Sequence, residues 1–132
     1  MKYLLALISE EGGMEDASPE EMKAVMEAWS AYSQDAVDNG AFLAGEGLQP
    51  SASASTVRLE EGKEATITDG PFAESKEQLG GFYLLECKDL DEALEYAKKI
   101  PYRNGWVEVR PVMDYEGSGY REPTETGATT GS

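Results

Sequence analysis

Three features of the sequence predict an α+β fold. Two helices carry explicit caps, two strand-length segments are apolar on both faces, and the elements alternate in an order that builds one sheet with both helices against it. Each element has its own local reason.

Residues 2–8 read as a buried strand, with Tyr3, Leu5 and Leu7 on one side and Leu4, Ala6 and Ile8 on the other. A Gly-rich acidic loop, residues 9–17, follows. Ser18 is placed to cap a helix, with Pro19 at its first position and Glu21 at capping-box spacing. Met22, Val25, Met26, Trp29, Ser33, Ala36 and Val37 recur at helical spacing and are assigned to the core, and Asn39-Gly40 supplies the stop. Residues 41–44 form a short strand ending in Gly45-Glu46-Gly47, and Gln49-Pro50 opens a Ser/Ala loop. Residues 56–60 and 64–68 read as a hairpin around Glu61-Gly62-Lys63. Asp69-Gly70-Pro71 breaks the chain, and a long polar loop runs through Glu74, Lys76, Glu77 and Gln78 to Gly80-Gly81. Residues 82–87 are the second strand apolar on both faces. Asp89 caps a second helix with Glu92 three residues on; Leu90, Ala93, Leu94, Ala97 and Ile100 form its face and Pro101 stops it. Residues 106–112 make the last strand. From Met113 on, Gly, Ser, Thr, Glu and Pro take over, so residues 1–112 are expected to fold and 113–132 to form a disordered tail. The order is the split β-α-β pattern of a ferredoxin-like sheet with a β-hairpin inserted between its halves.

Two helices cover one face of such a sheet, yet the strands at 3–8 and 82–85 are apolar on both. A second copy of the chain is the simplest cover. The expected assembly is a homodimer packed sheet to sheet.

Composition narrows function by exclusion. The 132 residues suit one domain, and 26 acids against 11 bases give a formal charge of -15. Such a surface repels phosphate backbones and anionic lipid, so neither nucleic acid nor membrane is an expected partner. The chain has no histidine, which excludes Ser-His-Asp and Cys-His catalysis and histidine metal sites within it. Cys87 is the single cysteine, so no disulfide or Cys-x-x-Cys site forms, and its apolar strand marks it as a small hydrophobe. No phosphate-binding Gly-rich loop occurs, and no cofactor or metal is expected. Six apolar residues after Lys2 are too few for a signal-peptide core, so a cytoplasmic protein is expected.

Several motifs carry a resemblance. Thr68-Asp69-Gly70-Pro71-Phe72-Ala73-Glu74 runs on through Lys76-Glu77-Gln78-Leu79-Gly80-Gly81-Phe82-Tyr83. With Gly45-Glu46-Gly47-Leu48-Gln49-Pro50 and Val107-Glu108-Val109-Arg110-Pro111, this resembles the DGPF group of the YCII-related family over residues 1–112. The resemblance implies a dimeric α/β barrel of ferredoxin-like subunits. It also implies an association with sigma factors of the extracytoplasmic-function type. Many family members hold a His-Asp pair in a cleft, which a chain without histidine cannot supply.

Asp69 is the sharpest polar position. It shares strand parity with Ile67, so it either points toward core space as a general base and ligand acceptor, or closes an Asx turn through Gly70. Glu46, between two glycines, is either a second acid of the same cleft or an exposed loop acid. Arg58 and Lys76 either hold an anionic ligand or neutralise local acids. Phe72 is read as a plug anchoring the loop. Tyr83 and Trp106 either stack on a planar ligand or pack in the core or dimer interface. The expected function is small-molecule binding in a cleft near the Asp-Gly-Pro-Phe loop, with Glu46, Arg58, Asp69, Phe72, Lys76 and Tyr83 as ligand-binding residues. Asp69 would be the catalytic residue of any histidine-independent acid–base chemistry. The alternative is a non-catalytic regulatory protein whose acidic surface captures a basic protein patch.

Overall fold

The computed structural model describes residues 1–114, and the tail expected from residue 113 lies outside that span from residue 115 on. The elements are β1 (Lys2–Glu10), α1 (Pro19–Asp38), β2 (Phe42–Gly47), β3 (Ser55–Arg58), β4 (Thr66–Asp69), β5 (Glu77–Glu86), α2 (Leu90–Lys98) and β6 (Trp106–Pro111). Four strands form an antiparallel sheet in the order β2-β5-β1-β6, and β3 and β4 form a separate two-stranded sheet. This is a ferredoxin-like α+β architecture with a hairpin inserted between its halves.

Strand register divides the residues between faces. Tyr3 lies across from Leu85 and Pro111, Leu5 across from Tyr83 and Val109, and Leu7 across from Gly81 and Val107. This set faces the helices, and Leu5 and Leu85 are fully buried against Tyr32 and Ala36 of α1, Ala93 of α2, and Ile100. The polar tips inside the core are paired, as burial requires. The Tyr32 hydroxyl donates to the Tyr96 carbonyl at 2.9 Å, and the Tyr83 and Ser33 hydroxyls share a hydrogen bond of 2.7 Å.

Both predicted caps are present. The Ser18 Oγ accepts from the Glu21 N–H at 3.0 Å while the Glu21 carboxylate accepts from the Ser18 N–H at 2.8 Å. Asp89 accepts from the Glu92 N–H at 2.9 Å. These hydrogen bonds from Ser18, backbone first, hold the Glu21 carboxyl below its ordinary pKa.

Four expectations need correction. The core stripe of α1 runs through Val25, Trp29, Tyr32, Ser33 and Ala36, whereas Met22, Met26 and Val37 are exposed. Met26 and Val37 each sit one residue, about 100° of helix, past a stripe position. Met22 lies in the first turns, before the buried half of the helix begins. Second, β5 begins at Glu77, so the polar loop shrinks to residues 70–76. Its first residues pair with the far end of β1, Glu77 with Glu10 and Leu79 with Ile8, and a bulge between Leu7 and Ile8 accommodates Gly80. Third, the hairpin strands sit one or two residues from their predicted places, because a tight turn closes at Glu60–Lys63 with Gly62 at φ +81°. Fourth, the face shared by Asp69 and Ile67 is not core, since Ile67 is exposed.

Candidate functional site

The Asp-Gly-Pro-Phe segment is a built turn. Asp69 ends β4 opposite Ser55. Gly70 follows at φ +107°, a conformation that L side chains rarely adopt. Its N–H donates to the Ala54 carbonyl at 2.7 Å, and its own carbonyl accepts from the Thr56 hydroxyl at 2.7 Å. On the far side of the loop the Gln78 amide donates to the Ala73 and Ser75 carbonyls at 3.0 and 3.1 Å. The loop is therefore fixed at both ends by neutral hydrogen bonds.

A second tie comes from Glu11, just past β1. Its carboxylate accepts from both the N–H and the hydroxyl of Ser51, each at 2.7 Å. That caps the short 3-10 turn Ser51–Ser53 and fastens the link between β2 and β3 to the end of the sheet. The partners are 40 residues apart, so no local sequence signal announces the pair.

The sequence-derived site residues are dispersed within one protomer. Asp69 shares its hairpin face with Ile67, Val57 and Ser55, whereas Arg58 lies on the opposite face with Thr56, Thr66 and Thr68. The two also stand at opposite ends of the ladder, about 10 Å apart at ~3.3 Å per residue. Arg58 pairs with Glu60 at 3.6 Å. The Asp69 carboxylate accepts no hydrogen bond among the described residues, so no Asx turn forms and the Gly70 N–H goes to Ala54 instead. Glu46 sits in the four-stranded sheet across from Phe82, and no hydrogen bond or ion pair among the described residues joins it to Asp69. Lys76 is exposed in the loop. Phe72 is also exposed, so it does not plug its own chain. Tyr83 is buried among Trp29, Tyr32 and Phe42, with ring centroids 5.1–6.5 Å away, and belongs to the core.

Among the described residues no group of three or more His, Cys, Asp or Glu side chains is arranged to hold a metal ion. A cleft of about 360 Å³ opens between the end of α1 and α2, lined by Asp35, Asn39, Glu86, Glu92, Glu95, Tyr96 and Lys99 with Ala41. All four of its acids already have partners, Asp35 accepting from the Asn39 amide at 3.3 Å. Glu86 pairs with the N-terminal ammonium, Glu95 with Lys98, and Glu92 accepts from the Lys88 N–H. Burial, and then Asp35 and Glu92, push the Tyr96 phenol up; burial, and then Glu92, push the neighbouring Cys87 thiol up. Both stay protonated and unreactive at neutral pH. This polar cleft lacks the apolar lining that ligand pockets use.

The other sheet face has a different character. Leu4, Ala6 and Ile8 of β1 lie beside Leu79, Phe82 and Leu84 of β5, flanked by Ala44 on β2 and Trp106 on β6. Among the described residues the helices pack on the opposite face, and here Ala6 is buried while Leu4, Ile8, Phe82 and Leu84 are half-buried. Trp106 is 56% and Leu79 49% exposed. Charges ring this patch, with Lys2, Glu86 and Arg110 toward one end, Glu10 and Glu77 toward the other, and Glu46 and Glu108 on the two edge strands, level with Phe82 and Ala6.

The described residues define a small ferredoxin-like α+β protein with one sheet face under helices and, among those residues, one apolar face without a helix over it. The sequence model of the YCII-related domain matches residues 1–116, and the chain belongs to that family. It is also similar to an uncharacterized protein of Rhizobium meliloti (strain 1021), 40% identical over 119 residues that cover 88% of this chain and 95% of that protein. Among the described residues no helix is long and apolar enough to cross a membrane.

Proposed function

We propose that the protein acts as a homodimer, its open sheet faces packed together as a dimeric α/β barrel, and binds a small molecule at the Asp-Gly-Pro-Phe end of the sheet. One observation carries this proposal: a contiguous apolar patch reaches across the sheet from Ala44 on β2 to Trp106 on β6, and none of the described helices or strands lies over it. Sheets pack face to face about 10 Å apart, so a partner sheet removes Leu4, Ile8, Phe82, Leu84 and Trp106 from water together. The dispersal of Glu46, Arg58 and Asp69 within one protomer favours a cleft completed by the second copy. Asp69, with no internal partner among the described residues, is the group proposed to accept a proton or hydrogen bond from the ligand.

The test is a thermal-shift screen of the full chain against a metabolite and metal library, run beside Asp69→Asn. A compound that stabilises wild type and not Asp69→Asn supports the site. Equal stabilisation of both proteins removes Asp69 from it. No hit, together with salt-sensitive capture of a basic protein, would replace ligand binding by the partner-binding alternative.

A further inference from the structure

Among the described residues the inserted hairpin presents an apolar face to solvent. Its face carries Val57 at 51% and Ile67 at 69% exposure, Leu59 just beyond it is 79% exposed, and Phe72 in the following loop is 92% exposed. At 150–250 Å² for an aromatic side chain and somewhat less for an aliphatic one, these residues show on the order of 500 Å² of apolar surface, at the upper end of what a monomer leaves uncovered. A two-stranded hairpin alone in water is marginally stable. Yet this one is closed at its base by the Gly70–Ala54 and Thr56–Gly70 hydrogen bonds, its entry is fastened to the end of β1 through Glu11 and Ser51, and its exit loop is held by Gln78, so Phe72 stands on an ordered frame.

We infer that residues 55–72 form an arm that seats on the second copy of the chain, with Phe72 as its anchor. This rests on the homodimer proposed above and adds the second half of its interface. Area identifies the occupant. The open sheet face exposes on the order of 400 Å² of apolar side chain, which with the polar share of an interface, a little under half, corresponds to roughly 700 Å² per partner, the standard size of a non-obligate complex. The arm supplies an apolar area of the same size. Sheet and arm together reach the roughly 1,000 Å² or more per partner of an obligate homodimer, which neither does alone. A buried aromatic surrounded by aliphatic contacts is the usual form of an interface hot spot, and two-fold symmetry places two copies of the anchor in each dimer.

The arm also bears on the ligand site, because Asp69 lies on the same hairpin face as Val57 and Ile67. Seating the arm carries that carboxylate to the partner. The cleft then lies between subunits, lined by Asp69 of one chain and the sheet of the other.

Sedimentation velocity on the full chain, from nanomolar to 100 micromolar, tests this with Phe72→Ala, Ile67→Ser and Leu84→Ser. Circular dichroism confirms that each variant is folded. The expected result is a wild-type dimer whose dissociation constant rises at least ~30-fold in Phe72→Ala, and by a similar factor in Ile67→Ser. A second readout uses Ala73→Cys, whose thiol should label with maleimide quickly below the dissociation constant and slowly above it. Wild-type dimerisation with unchanged constants in both arm variants, weakened only in Leu84→Ser, would overturn the arm and leave the dimer standing. A wild-type monomer at 100 micromolar would overturn both. Ala73→Cys labelling independent of concentration but faster after removal of residues 115–132 would assign the arm to the chain's own tail and overturn the inference.

Discussion

Gly81→Ala is expected to destabilise the protein through backbone crowding alone. Gly81 sits inside β5, paired with Leu7 on one side and Gly47 on the other. A Cβ there would stand 2.7 Å from the Glu46 carbonyl oxygen and 3.3 Å from the Gly47 Cα. Both neighbours are main chain, so relief requires the end of β2 to pull away from β5. Overpacking of this kind costs 1–3 kcal/mol, and ~2 kcal/mol in a domain of this size lowers the melting temperature by about 8 °C. Gly47→Ala is the matched control, because a Cβ there meets nothing within 4 Å. It should stay within ~0.5 kcal/mol of wild type. Thermal melting and urea titration of the three proteins decide the matter, with the urea slope unchanged if only the native state is affected. A Gly81→Ala protein melting within a degree or two of wild type would refute the crowding, as would an equal loss in Gly47→Ala.

Ser18→Ala should cost about 1 kcal/mol in urea titration at neutral pH by removing the acceptor for the Glu21 N–H. Because the folded Glu21 pKa lies below its ordinary value, the stabilisation from its carboxylate is full above the ordinary pKa and is lost as pH falls through the lowered one. The stability gap between wild type and Glu21→Gln should therefore narrow toward pH 3, and a widening gap would reverse the sign. Cys87, buried with its thiol pushed up, should react with a disulfide reagent only on unfolding, and prompt labelling of native protein would contradict its burial. Asp69→Asn should leave stability within ~0.5 kcal/mol, since no described partner holds the carboxylate. A loss of 2 kcal/mol would make Asp69 a structural residue.

Much of the fold was legible because its signals are local. Ser18, Pro19 and Glu21, and again Asp89 and Glu92, sit next to the N–H groups they serve, so their spacing alone places two helix starts. The doubly apolar strands foretold a sheet with apolar residues on both faces, as the register of β1 and β5 has it. What escaped was long-range. Glu77, Gln78 and Gly80-Gly81 look like loop in isolation and become strand only because Glu10 and Ile8 lie beside them. Tyr32 supplants Val37 in the core because the α1 stripe is chosen by what the sheet presents, which helical spacing does not specify. The candidate site shows the same division. Parity correctly put Asp69 on one face with Ile67, but parity does not say whether that face is covered. Phe72 was read as a plug since a large aromatic usually packs within its own chain, and here the described residues leave it exposed. Glu11, which fastens the β2–β3 link, was invisible because Ser51 is distant in sequence.

The apolar sheet face is proposed as an interface between two copies of this chain. Light scattering of the full chain at about 50 micromolar, beside Leu84→Glu, tests it most directly. A wild-type mass of twice the 14.3 kDa of one chain, falling to one chain in Leu84→Glu, is the predicted result. A wild-type mass of one chain, or a dimer indifferent to a charge placed in the middle of that face, would contradict it.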